Sequence, residues 1–243
     1  MDDDDLTRES QDEQYEEIVK GNRKYSRLLR TAAVLAVVAF IALILPNLSF
    51  FNPGNLKFLN ENGSLLNDGV VQKCRPAVVY IQTETNSGVT RQGTGFNVSP
   101  SGIIVTNKHI VDDADLITIQ FEDGRKYYSK HYEASEGNDI AVIRIDGEGL
   151  PALALNREYK VKAGDNVTII GNPLGYERIA QRGKVGDYHF AEGIESQVFD
   201  INIQLNPGNS GSPVINDNSE VVGIVFATAD NRALAIGAYN IEY

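Results

Sequence analysis

The chain has 243 residues, of which 42% are hydrophobic and 23% charged, with a formal net charge of −11. That length leaves room for one domain with a sizeable core beyond an N-terminal extension. The acidic balance has the wrong sign for neutralising phosphates and excludes nucleic acid as a partner. A single cysteine, Cys74, excludes an intrachain disulfide. No spacing of Cys or His suits a zinc site, so neither a metal nor a cofactor is expected.

Residues 1–19 are acidic and polar, with too few apolar side chains to bury, which predicts disorder. Lys20, Arg23, Lys24, Arg27 and Arg30 follow with no acid among them. From Thr31 to Phe51 the chain is uncharged and mostly apolar, the length of a helix that crosses a bilayer. Pro46 falls near its far end, where a break in the helix costs least. Basic residues ahead of such a span keep the N-terminus in the cytoplasm and send the rest outside. A cleaved signal peptide fits less well, because thirty residues precede the apolar run and no small-x-small site follows it. The expected organisation is therefore a cytoplasmic tail at 1–30, a transmembrane signal anchor at 31–51, and a linker at 52–68 rich in Asn and Gly. A β-rich domain over 69–243 completes it, and the membrane is a partner through residues 31–51.

After residue 75, short β-branched runs alternate with Gly, Asn and Asp turns, the pattern of an antiparallel all-β fold. The runs are Val78 to Gln82, Ile103 to Thr106, Leu116 to Phe121, Ile140 to Ile145, Val167 to Ile170 and Val221 to Phe226. Glu122-Asp123-Gly124-Arg125 reads as a hairpin turn between two of them.

Three places in this region carry chemistry. Pro207-Gly208-Asn209-Ser210-Gly211-Ser212-Pro213 sets a serine in a tight glycine turn ahead of an apolar strand. Such a turn can aim the amides of Gly208 and Ser210 into one small space, as an oxyanion hole requires. Gly102 to Val111 is a strand running into His109, and Asn138 to Ile145 places Asp139 at the mouth of another. A serine hydroxyl needs a neighbouring base to become a nucleophile, and a carboxylate fixes that base's tautomer. Taken singly, the serine turn suits an ordinary loop, His109 a strand-end histidine and Asp139 a turn residue. Together they form a constellation. His131 and His189 lack such surroundings and read as surface or structural residues.

The order His109, Asp139, Ser210 resembles that of chymotrypsin-type enzymes. The region from Gly69 to Ala238 looks like the protease domain of the HtrA/DegP-like serine peptidases. Supporting blocks are Val71 to Val79, Gln92-Gly93-Thr94-Gly95-Phe96, and Ala163-Gly164-Asp165 through Gly171-Asn172-Pro173-Leu174-Gly175. The resemblance implies an all-β, chymotrypsin-like fold of two six-stranded antiparallel barrels, here preceded by the single N-terminal transmembrane helix. It implies His109 as general base, Asp139 as its orienting acid and Ser210 as nucleophile, with Gly208 and Ser210 forming the oxyanion hole. The substrate pocket is expected from Gln204, six residues before the serine, with Ile224, Val225 and Phe226 along its wall. An uncharged Gln204 lacks the carboxylate that selects Lys or Arg, so small or medium aliphatic residues are expected at the cleaved position. Substrate is expected as an added strand near Val222 to Ala227.

The implied function is a membrane-anchored serine endopeptidase acting on unfolded or exported proteins outside the cytoplasm, in a bacterial cell. The alternatives are a site-specific processing protease and a non-catalytic binding or chaperone module. The family often forms trimers through residues just before the barrel, and Phe50, Phe51, Leu56 and Phe58 suit either a homotrimer or the membrane interface. Two departures stand out. Gly211-Ser212 replaces the family's usual pair of glycines, and no PDZ module follows Tyr243, as in a relative without one or a truncated product.

Overall fold

β-Branched and aromatic side chains fit the half-buried pleated surface of a sheet, which makes extended structure the local preference after Ala77. The computed structural model describes residues 57–229 and 231–243, which hold fourteen strands and three short α-helices. The tail at 1–30, the anchor expected at 31–51 and the start of the linker lie outside the described residues. Among the described residues, no helix is long and apolar enough to cross a membrane.

Much of the expected linker is helix α1 (Lys57–Leu65). It buries Phe58 and Leu65, and the Phe58 ring meets Tyr176 edge-on at 6.0 Å. Phe58 is thus occupied within its own chain, whereas Phe50, Phe51 and Leu56 lie outside the described residues. Helix α2 (Gly69–Cys74) follows, capped by the Asp68 carboxylate, and leads through a 3₁₀ turn into the first strand.

The first half is a seven-stranded antiparallel sheet of β1 (Val78–Glu84), β2 (Thr90–Asn97), β3 (Ile103–Thr106), β4 (Leu116–Gln120), β5 (Lys126–Ser129), β6 (Glu133–Ala134) and β7 (Ala141–Arg144). Their spatial order is β5-β4-β1-β2-β3-β7-β6. The β4–β5 hairpin turns at Glu122–Arg125, where Gly124 takes a φ of 88°. A one-turn helix, α3 (Lys108–Val111), follows β3.

The second half contains β8 (Ala154–Leu155), β9 (Asn166–Gly171), β10 (Ile179–Phe190), β11 (Gln197–Ile201), β12 (Pro213–Ile215), β13 (Glu220–Ala229) and β14 (Arg232–Gly237). Strands run β12-β9-β10-β11-β14-β13, and a β12–β13 pairing closes them into a six-stranded barrel. The two-residue β8 adds to β13 in parallel. Long β10 pairs with β9 through Ile179–Lys184 and with β11 from Val185 onward. The uncovered edge of its first half is met by α1: Ala180 N–H donates to Asn62 Oδ1 at 2.9 Å and Arg182 N–H to Glu61 Oε1 at 2.8 Å. A helix here protects a sheet edge that would otherwise template pairing.

The architecture is therefore a closed barrel and a half-barrel, rather than two six-stranded antiparallel barrels. The half-barrel stays open because its outer strands are minimal: β6 has two residues, and Ser129–His131 side-chain-to-backbone bonds turn the chain between β5 and β6. Each half has its own apolar core, built around Ile81, Ile104 and Ile119 in one and Ile169, Phe199 and Val214 in the other. A third cluster, including Val78, Phe96, Val105, Ile170 and Ile224, joins them. That shared cluster fixes the halves relative to each other, and the chemistry-bearing residues lie along their junction.

Candidate active site

Pairing of β3 with β7 sets Thr106 opposite Ala141 and so brings the residues just past each strand together. His109 Nδ1 lies 2.6 Å from Asp139 Oδ2, and the His109 backbone N–H donates to Asp139 Oδ1 at 2.9 Å. Asn107 Nδ2 donates to the Asp139 carbonyl at 2.7 Å, holding the carboxylate's own backbone. A carboxylate accepts only, so Nδ1 carries a proton, and in the neutral imidazole the lone pair is then on Nε2. The imidazole is half exposed, at 49%, and the Asp139 side chain is mostly covered, at 17%.

The serine loop belongs to the closed barrel but is bonded to the half-barrel. Asn209 N–H donates to Asn206 O at 3.2 Å across a turn with Pro207 and Gly208 at its centre, Gly208 having a φ of 100°. That is the type II arrangement, which needs glycine at its third position. Thr94 N–H on β2 donates to Ser210 O at 2.9 Å, and Thr106 Oγ1 donates to Thr94 O at 2.7 Å. Gly93, next to Thr94, admits both neighbours: a Cβ there would lie 2.4 Å from Ile110 Cδ1 and 3.3 Å from Ser210 O. The backbone of Ser210 and the side chain of Ile110, from the His109 helix, thereby meet the same stretch of β2. Ser212, where two glycines were the usual pattern, is fully buried. Gly171 makes room for it, since a Cβ there would fall 2.2 Å from Ser212 Oγ.

Neither Gly208 N nor Ser210 N is bonded to a backbone carbonyl among the described residues. Beside Ser210 lies a cavity of about 150 Å³, walled by Leu205, Pro207, Val225, Ala227 and Thr228 among others. Only Val225 of the four expected pocket residues lines it. Gln204 is exposed to solvent, Ile224 is buried in the cluster between the halves, and Phe226 packs against that same cluster. Ile224 and Phe226 pack on the cluster between the halves while Val225 packs on the closed barrel's own core, and a register shift between Val225 and Ala227 interrupts the regular alternation of β13 at this point. Ala227 and Thr228, which also line the cavity, were not among the expected residues. The expected strand-addition edge also narrows. Val225 exchanges bonds with Gly211 and Ser212, and β12 covers the stretch before it, so the side away from β14 opens only past Val225.

A closed barrel and half-barrel with this histidine–carboxylate pair and serine loop at their junction define the chain's class. Residues 93–224 match the family described as trypsin-like peptidase domain, and the chain belongs to that family. It is 37% identical over 134 residues to a protein of Pseudomonas fluorescens described as "Probable periplasmic serine endoprotease DegP-like". That match covers 54% of this chain and 28% of the relative, so the chain spans about three tenths of the curated relatives' length. Among solved structures, HtrA-type protease AlgW with tripeptide superposes with a TM-score of 0.63 at 26% identity, covering 69% of this chain and 58% of that one. The active form of the Rv3671c protease from M. tuberculosis shares the fold, with a TM-score of 0.64 over 72% of this chain and 82% of that one, at 24% identity.

Proposed function

We propose that this chain is a serine endopeptidase that hydrolyses peptide bonds of unfolded or exported proteins outside the cytoplasm, held to the membrane through residues 31–51. The observation that carries it is the double contact of Asp139 with His109, ring and backbone, together with a serine loop bonded to Thr94 on β2, the strand beside β3. Periplasmic DegP-like relatives support the location, and the uncharged run from Thr31 to Phe51 supports the anchor.

In this reading His109 Nε2 takes the proton of Ser210 as the oxygen attacks the carbonyl carbon of the substrate. Asp139 keeps the ring in the required tautomer and stabilises the imidazolium that forms. The amides of Gly208 and Ser210 receive the negative charge on the carbonyl oxygen. His109 returns its proton to the leaving amine, which departs. Water, deprotonated by the same nitrogen, then releases the acyl group and restores the serine hydroxyl. Substrate runs beside β13 past Val225, with its side chain at the cleaved bond in the cavity of Val225, Ala227 and Thr228.

The test compares the full chain in detergent micelles with Ser210→Ala on fluorescein-labelled β-casein. Wild-type cleavage lost in the alanine variant is expected; equal rates in both end the proposal. Asp139→Asn, which leaves the imidazole in the wrong tautomer, is expected to lower kcat by about 10⁴ at an unchanged melting temperature, the magnitude seen for the same change in the chymotrypsin-type example.

A further inference from the structure

We propose that Thr94 is a positioning residue whose hydroxyl sets the angle between the two amides of the oxyanion hole. The inference rests on the peptidase reading above.

A hydroxyl has one proton to give and two lone-pair directions to fill. Thr94 Oγ1 receives two donors from one residue, Asn172 N at 2.9 Å and Asn172 Nδ2 at 3.1 Å. The amide of Asn172 is itself oriented, since its Oδ1 accepts Arg178 N–H at 2.9 Å and its Nδ2 also donates to Val79 O at 2.9 Å. With both acceptor directions taken, the Thr94 proton has one destination: Gly208 O, at 2.7 Å. Thr94 and Asn172 are both buried, at 0% and 1% exposure, so solvent does not compete for these bonds.

Gly208 O belongs to the middle one of three consecutive peptide groups. The group before it carries the Gly208 amide, and its carbonyl, Pro207 O, accepts Leu174 N–H at 2.8 Å. The group after it carries the Ser210 amide, and its carbonyl, Asn209 O, accepts Ser212 N–H at 3.0 Å. In a planar trans peptide the N–H points opposite the C=O, so each pinned carbonyl aims one amide away from its partner. One hydrogen bond tolerates a broad range of angles, so the relative direction of the two amides is fixed only when the peptide that joins them is held as well. That peptide has two restraints: its N–H makes the 3.2 Å bond to Asn206 O, and its carbonyl makes the shorter one to Thr94. Thr94 is on the half-barrel and the loop on the closed barrel, so this bond also makes the donor geometry depend on how the halves meet.

The test uses the full chain in detergent, fluorescein-labelled β-casein, and melting temperatures to establish folding. Thr94→Val keeps the shape and removes the hydroxyl. We expect its kcat to fall by about 10- to 100-fold with KM within about twofold, less than the 10²–10³ of losing a donor outright. Thr94→Ser, which restores the hydroxyl, is expected within about threefold of wild type. Wild-type kcat in the folded valine variant, or an equal loss in the serine variant, overturns the proposal. Should the valine variant fail to fold, Thr94→Cys takes its place: a thiol is a weak donor, and kcat is expected to fall at least about fivefold. Wild-type kcat in folded Thr94→Cys likewise overturns it. Wild type no faster than Ser210→Ala overturns the peptidase reading itself, and this inference with it.

Discussion

Asp68 and Arg182 tie the start of helix α2 to strand β10: Arg182 Nη2 lies 2.8 Å from Asp68 Oδ2, while Asp68 Oδ1 accepts Val70 N–H at 2.9 Å. One carboxylate thus caps a helix and pairs with a cation on the closed barrel. The Arg182 hydrogen bond is the main cause that holds the Asp68 carboxyl below its ordinary value of 3.8, with the bonds from Val71 and Val70 adding to it against partial burial. A carboxyl depressed on folding contributes stability above its unfolded pKa, and that contribution is lost as pH falls through the folded value. Asp68→Ala is therefore expected to cost about 1 kcal/mol near neutrality, as for loss of an N-cap. Urea unfolding at a series of pH values checks it: the difference from wild type should shrink steadily below about pH 4. A constant difference down to the lowest pH would count against the ion pair and its cap.

Gly211 has a φ of 84°, and a Cβ there would stand 1.9 Å from the Thr94 carbonyl oxygen. Gly124 has a similar φ of 88° with nothing within 4 Å of the same atom. The two separate backbone strain from close approach. Gly124→Ala is expected to cost about 1–2 kcal/mol, the strain of a left-handed alanine. Gly211→Ala is expected to cost more and to abolish casein cleavage, because the loop must leave β2 and take Ser210 with it. Thermal melts of both variants, with rates per folded molecule, measure this. A Gly211→Ala chain as stable and active as Gly124→Ala would contradict the contact.

The cavity beside Ser210 is walled by Ala227 and Val225, with Phe226 turned away into the cluster between the halves. Ala227→Phe should fill the cavity and lower cleavage by about 10-fold or more, as a missing or added group in a pocket changes discrimination by 10–200-fold. Gln204→Asp should leave the cleavage preference unchanged, because the exposed residue 204 does not line the cavity. Profiling with a peptide library, by mass spectrometry of products, distinguishes them. A new preference for Lys or Arg in Gln204→Asp would show that the binding pocket lies elsewhere.

Much of this molecule was legible in local patterns. Alternating β-branched runs bounded by Gly, Asn and Asp marked six of the fourteen strands, β1, β3, β4, β7, β9 and β13, within a few residues, since extended structure and turns depend on neighbours along the chain. The pairing of His109 with Asp139 was anticipated for a related reason, since each lies next to a strand and their residue types suit one another, and Ser210 stands as a candidate on the same ground. The helix at Lys57–Leu65 was not readable. Its stability comes from Phe58 and Leu65 buried against the domain, and from amides of β10 more than a hundred residues away. The cavity lining by Val225 and Ala227 was not readable, because the register shift between them depends on pairing with β14.

What the amino-acid order determined by itself was a subset of the strands, the turn chemistry around Gly208, and the candidates for base, acid and serine. What only the tertiary structure decided was closure: β12 pairing with β13 to seal one barrel while the other half stays open, and the Arg178–Asn172–Thr94–Gly208 chain of bonds that crosses between them. Propensity and periodicity act over a few residues, so they leave a signature in sequence. A hydroxyl's single proton is directed by whichever donors and acceptors the fold brings around it, and those come from places far apart in the chain.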